Sequence, residues 1–280
     1  MRLKPFLKNT GKLALYLNFL IILTSCSFPS EPTYKQQNIP YQIEKICKEE
    51  YNLKLVTKLF QNTLWIYAPL PRIIHKDFTI NKDKLIDEEV IDKLRNILIT
   101  IGRVFLNADN PPEFYCLVAT DINLGIDYTL IGNTLDIKKS YAGSIPWPEA
   151  NRRYLIKIEV NPEGIGDETG KHLNFYSAKM EEFLAQQIAQ RISMRFQEEG
   201  LKKYFQIEKV KGTFNEDVFM FEYAIKKTDA SKINIEDEII NIISYVLNSY
   251  EFNKFLMVEI KDLISGNKTI LSRAKIINLP

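Results

Sequence analysis

The sequence predicts an α+β fold made of two similar modules. Each runs helix, strand, strand, helix, strand, strand, with mostly antiparallel sheets covered by long amphipathic helices. Three observations lead there. Apolar residues recur at helical spacing in three long stretches: Val90, Ile91, Leu94, Ile97, Leu98, Ile101, Val104 and Phe105; Met180, Leu184, Ile188, Ile192 and Phe196, widened by Phe183; Ile235, Ile239, Ile242, Val246 and Tyr250. Short runs of β-branched and aromatic residues sit in pairs around turn signals, such as LKLVTKLF and TLWIYAPL about Gln61-Asn62. The stretches EFYCLVATDINLGIDYTL and KFLMVEIKDLISGNKTIL align at a constant offset of 141 positions, matching Phe114 with Phe255, Asp121 with Asp262, Gly125 with Gly266 and Leu130 with Leu271. That is the trace an internal duplication would leave. With 45% hydrophobic residues, 16 Phe and 14 Tyr in 280 positions, the chain can bury a core and is not of disordered composition.

The elements follow in order. Residues 41–51 read as a short helix with Ile43, Ile46 and Cys47 on one side. Two strands come next, the second halted by Pro69 and Pro71. Asp87 is placed to cap a long helix that NADNPP ends, and Gly102 within it predicts close packing. EFYCLVATD and IDYTLIGNTLDIKK read as strands about an Asp121–Gly125 turn. YAGSIPWPEANRR reads as irregular and RYLIKIEVNP as a further strand. Asn174 is expected to cap the second long helix, with Gly200 as its stop. Strands at 203–210 and 217–226, a helix after Asn234, and the strands KFLMVEIKDL and KTILSRAKI close the chain. The acidic clusters Asp87–Glu89 and Glu236–Glu238 fall in first helical turns, where they complement the helix dipole.

The amino-terminal end has a different character. Residues 1–25 hold Arg2, Lys4, Lys8 and Lys12 and no acid; the overall charge of +2 therefore leaves 33 basic against 35 acidic residues, a net −2, in the rest. Leu13–Leu23, LALYLNFLIIL, is an apolar run of eleven. A membrane span needs about 20 residues, so the run fits the apolar region of a secretory signal. Leu23-Thr24-Ser25-Cys26 follows. These four residues resemble the lipobox of bacterial lipoproteins. The resemblance covers residues 1–26 and implies cleavage before Cys26, diacylglycerol on its thiol and acylation of the new amine. It implies an exported protein of the bacterial cell envelope whose partner is the membrane, through a lipid anchor. Ser27 rather than Asp after the cysteine favours the outer membrane in a diderm cell. Residues 27–40, with Pro29, Pro32 and Pro40, read as a tether of about 40 Å if mostly polyproline-like. The expected division is 1–25 signal peptide, 26–40 acylated cysteine and tether, 41–160 first module and 161–280 second module.

Candidate chemistry is sparse. The near-neutral body argues against nucleic acid as a partner. Cys47 and Cys116 would be free to bridge in an exported protein, but both lie in apolar surroundings, and no Cys/His spacing suggests zinc. No G-x-S-x-G motif, Walker pattern or dinucleotide fingerprint occurs; GIGDETG has the wrong spacing. The two histidines are His75, in a polar loop, and His172. His172 could join Asp167 and Glu168 as metal ligands, which would make the chain an exported hydrolase or metal-dependent enzyme. DINLGID places Asp121, Asn123 and Asp127 at calcium-loop spacing without the remaining ligands, so a hairpin turn is the favoured reading. SIPWPEANRRY is the candidate interaction segment, with Trp147, Arg152 and Arg153 as anchors. No cofactor is expected. The function expected is a binding or assembly role with an envelope protein partner, rather than catalysis.

Overall fold

The computed structural model describes residues 33–75, 86–228 and 232–279. Its elements are α1 (Ile39–Tyr51), β1 (Val56–Phe60), β2 (Thr63–Leu70), α2 (Glu88–Leu106), β3 (Phe114–Asp121), β4 (Ile126–Asn133), α3 (Thr134–Tyr141), α4 (Trp147–Arg152), β5 (Leu155–Val160), α5 (Met180–Gln197), β6 (Phe205–Asn215), β7 (Val218–Lys227), α6 (Ile235–Ser249), β8 (Met257–Asp262), β9 (Lys268–Ser272) and α7 (Arg273–Ile277). The fold is α+β. Strands β1 to β5 form one sheet in chain order, and β6 to β9 form a second.

The two modules share one wiring. In the first, β1 and β2 are antiparallel, β2 and β3 parallel, and β3 and β4 antiparallel. In the second, β6 to β9 repeat that sequence of antiparallel, parallel, antiparallel. The parallel step follows from the helix between its strands, α2 or α6, since a crossover is needed to bring the chain back in the same direction. The 141-residue repeat falls on the turn after each crossover strand. Asp121 accepts from the N–H of Asn123 and Leu124, and Gly125, at φ +64°, donates to the Asp121 carbonyl. Asp262 accepts from Ile264 N–H, and Gly266, at φ +77°, donates to the Asp262 carbonyl. A side-chain acceptor followed by a residue that tolerates positive φ is what both turns need, and it is what recurred in the sequence.

The core is layered. One face of the first sheet, through Leu64, Ile66, Leu117 and Ala119, packs on α1 and α2. The opposite face, through Trp65, Cys116 and Val118, shares a core with α5, α6 and the second sheet. Phe114 meets Phe183 of α5 at 5.3 Å between ring centroids. Helix α5 is therefore apolar on several sides, burying Phe183, Leu184, Ala185, Ile188, Ile192 and Phe196. Gly212 lets β6 lie directly on it: a Cβ there would stand 2.1 Å from the Ala185 carbonyl oxygen. Among the described residues one face of the second sheet is covered. At the positions 141 beyond Cys116 and Val118 stand Met257 and Glu259, and Glu259 pairs with Lys268 at 2.8 Å on the outer face. A polar outer face ends the stack of layers.

Several expectations are corrected. Tyr34 pairs with Ala108 and α1 begins at Ile39, so the last residues assigned to the tether belong to the body; Pro40 sits in the first helical turn, where its missing N–H is not needed. Cys26 and the first residues of the tether lie outside the described residues. The strand read through Lys139 ends at Asn133, whose side chain caps α3 through Leu135 N–H. The asparagine with Asp136 three residues on is a capping signal that the apolar run concealed. The closing strand read over residues 268–276 likewise gives β9 and then α7, capped by Ser272. Helix α5 starts at Met180 and not after Asn174. Residues 173–179 instead lie along the β1–β2 turn: Trp65 Nε1 donates to Tyr176 O at 3.0 Å, and Ala178 N–H donates to Thr63 Oγ1 at 2.9 Å. Cys47 and Cys116 are free and buried, in the clusters on opposite faces of the first sheet, which keeps them apart.

Candidate functional site

The segment expected to be irregular folds as the short helix α4. Pro146 takes an extended conformation at its start, Pro148 lies in the first turn, and Glu149 and Ala150 both donate to the Pro146 carbonyl at 3.0 Å. The two prolines thus fix the helix start rather than an extended strand. Trp147 is left 58% exposed, its ring edge-on to Tyr141 with centroids 6.0 Å apart. These rings wall a groove of about 570 Å³ whose floor carries Leu98, Ile99 and Ile137, with the buried Ser140 hydroxyl lacking a hydrogen-bond partner. Such a size and a mostly apolar lining with a few polar groups are those of a ligand or anchor-residue site.

A second groove of about 350 Å³ lies on the other side of α4, against α5 and α6. Arg152, Arg191, Arg195, Met194 and Tyr245 line it. Its guanidinium groups face carboxylates: Arg191 holds Glu149 at 2.8 Å, Arg195 holds Glu198 and Glu238, and Arg152 stands 3.7 Å from Glu198. The groove is therefore balanced in charge and is not an anion trap. Aromatic residues, Met and Arg around α4 are the residue types enriched at protein interfaces.

Arg153 does not share that surface. Its side chain is 4% exposed and donates to Asp136 Oδ1 at 2.8 Å and to Glu149 Oε1 at 3.0 Å. Tyr250 donates to the other Asp136 oxygen, and the Gln187 amide donates to the Arg153 carbonyl and to Tyr250 Oη. The network centred on Arg153 thereby joins α3, α4, α5 and the end of α6. Burial pushes the Asp136 carboxyl upward, and the hydrogen bonds from Tyr250 and Arg153 offset that only in part. At Glu149 burial again pushes upward, but Arg191 and Arg153 outweigh it and hold the carboxyl low. Arg153 is a positioning residue that seats the Trp147 helix where the modules meet; the run of two arginines gave no sign of which one turns inward.

The His172 loop is a second cluster. Asp167 accepts from Thr169 N–H, Gly170 N–H, His172 N–H and, at 2.7 Å, His172 Nδ1. Burial raises the Asp167 carboxyl, but the His172 ring and these N–H donors win and hold it well below the usual range. His172 Nε2 stands 3.4 Å from Asp127 Oδ1, which also receives the Thr120 hydroxyl, while Asn161 donates to Oδ2. The Tyr67 hydroxyl donates to the Asp167 carbonyl, and burial raises that phenol to about 12. Asp127 joined this group without any sequence signal, because β4 brings it from 45 residues away. Glu168, expected with Asp167 and His172, turns outward and pairs with Lys54 at 2.9 Å. Among the described residues no group of three or more His, Cys, Asp and Glu is arranged to hold a metal. His172 Nδ1 bonds Asp167 while the buried Nε2 faces Asp127 without a hydrogen bond, so the latch of the 161–172 loop on the end of the first sheet runs through Asp167, Asn161 and Tyr67.

No family model, curated protein or solved structure matches this chain.

Proposed function

We propose that the chain is a lipid-anchored protein of the bacterial cell envelope, held by Cys26, which presents the α4 surface to an envelope protein partner. The observation that carries the binding reading is the exposed Trp147, held rigidly on α4 between two grooves by the buried Arg153 network. Exposed tryptophan on a preorganised element anchors interfaces, because ordering it on binding costs little. The lipobox residues support the anchored location. Among the described residues no helix is long and apolar enough to cross a membrane.

Pull-down from solubilised membranes with the intact chain tests both halves. Cys26→Ala should abolish acylation and leave a heavier precursor that retains residues 1–25, read by mass spectrometry. Trp147→Ala should stay membrane-bound and folded, yet lose at least about tenfold in partner recovery, the effect of losing about 1.4 kcal/mol at an anchor. Recovery of the same partner by wild type and Trp147→Ala would overturn the assignment of the surface.

A further inference from the structure

We propose that two copies of this chain pair through β5, in antiparallel register about Ile158, to form a continuous ten-stranded sheet. Strand β5 is the last strand of the first sheet, bonded to β4 on one side only. Its register with β4 is unbroken from Ile126–Val160 to Ile131–Leu155. Ile156 N–H does not serve that ladder; it donates to Gln190 Oε1 at 2.9 Å, while Asn161 N–H bonds Gly125 on the inner side. The even-numbered residues of β5 therefore direct their backbone groups outward. Gln190 covers the start of the edge, since its amide also donates to Tyr154 O at 2.8 Å. Among the described residues nothing covers Ile158 or Val160 on that side.

The side chains fit the same reading. Ile156, Ile158 and Val160 are 39%, 45% and 77% exposed, an apolar stripe on an open edge. Proteins normally blunt such edges with charge, bulges or brevity. The other edges here do so. Thr57 N–H of β1 is capped by Glu44, β6 is bulged between Ile207 and Lys209 with Lys209 and Lys211 beside the bulge, and β9 has five residues before α7 begins. Strand β5 is capped only at its start, where Gln190 takes the Ile156 N–H; among the described residues no such device reaches Ile158 or Val160.

Charge selects the partner and the register. An outward residue must pair with an outward residue, which restricts antiparallel self-pairing to alternate registers. Centring on Lys157 would oppose two lysines, and centring on Glu159 would oppose two glutamates, both unfavourable. Centring on Ile158 opposes Lys157 with the other copy's Glu159 twice, sets Ile158 on Ile158, and sets Ile156 on Val160. One strand is thus complementary to itself about a two-fold axis, as an isologous dimer requires.

Sedimentation velocity and native mass spectrometry of the intact chain in mild detergent test this. A dimer is expected. Glu159→Lys should weaken it about tenfold, because both cross-strand pairs become like-charged. The double variant Lys157→Glu, Glu159→Lys exchanges the charges and should restore it. Val160→Pro removes an outward N–H on an edge that tolerates proline, and should weaken the dimer with unchanged circular dichroism. A wild type that stays monomeric up to about 100 μM would overturn the proposal, as would a dimer indifferent to both Glu159→Lys and Val160→Pro.

Discussion

Replacing Arg153 by alanine should cost about 3–5 kcal/mol of folding free energy, the range for breaking a buried ion pair. The truncation leaves Asp136, itself 5% exposed, with the Tyr250 hydroxyl as its remaining close donor. Its carboxyl is already raised by burial, and without the guanidinium it would rise further. The sign of the pH effect follows. A carboxyl whose folded value lies above its unfolded one binds protons more tightly when folded, so folding is favoured as pH falls through that window. The deficit of Arg153→Ala should therefore shrink between neutral pH and about pH 4, the unfolded aspartate value, in urea titrations. Adding Asp136→Asn should recover part of the loss at pH 7. An equal deficit at both pH values, or no recovery, would show that lost packing and not an uncompensated charge is responsible. Because α4 is seated by this network, Arg153→Ala should also weaken partner capture, even though the residue never reaches the surface.

Phe219→Ala is expected to cost about 3–5 kcal/mol by a different route, a cavity in apolar surroundings. Phe219 is fully buried on β7 and meets Phe214 at 4.7 Å, Phe255 at 5.5 Å and Phe252 at 5.9 Å between centroids. These rings come from β6, β7 and the approach to β8, so the second sheet cannot close the gap by moving a single element. Ile270→Ala, at a side chain 56% exposed on β9, is the control and should change stability by less than about 0.5 kcal/mol. Calorimetry or urea unfolding of the three proteins checks this. A cost for Phe219→Ala near that of the control would mean that the four rings do not form one core.

Most of the fold was legible because it rests on local rules. The caps Asp87 and Asn234 each accept the N–H two residues on, as their position before an apolar stripe predicts. The hairpin turns at Asp121 and Asp262 need only a short acceptor and a glycine four residues later. Errors arose where tertiary groups compete with local ones. Asn174 is a good cap in isolation, yet the backbone after it is taken by Trp65 and Thr63 at the start of β2, more than 100 residues away, which delays α5 by one and a half turns. The segment around Trp147 holds two prolines, and proline is equally at home in an extended chain and in a helical first turn. The exposed tryptophan was legible as a candidate; the inward turn of Arg153 was not, because it is dictated by Asp136 and Tyr250, which lie 17 positions before it and 97 after it.

The sequence by itself determined the α+β class, the order of the strands and the long helices, the two-module repeat and the lipobox resemblance that points to a membrane tether. Each depends on residues within a few positions of one another, where periodicity, turn chemistry and a short motif act. Tertiary structure alone decided that the second module's helices fill the space between two sheets, that Arg153 is interior while Trp147 is exposed, and that β5 is left as an open apolar edge. Those outcomes depend on which surfaces meet after the chain has returned on itself, and burial is a property of the whole packing that no stretch of sequence carries alone.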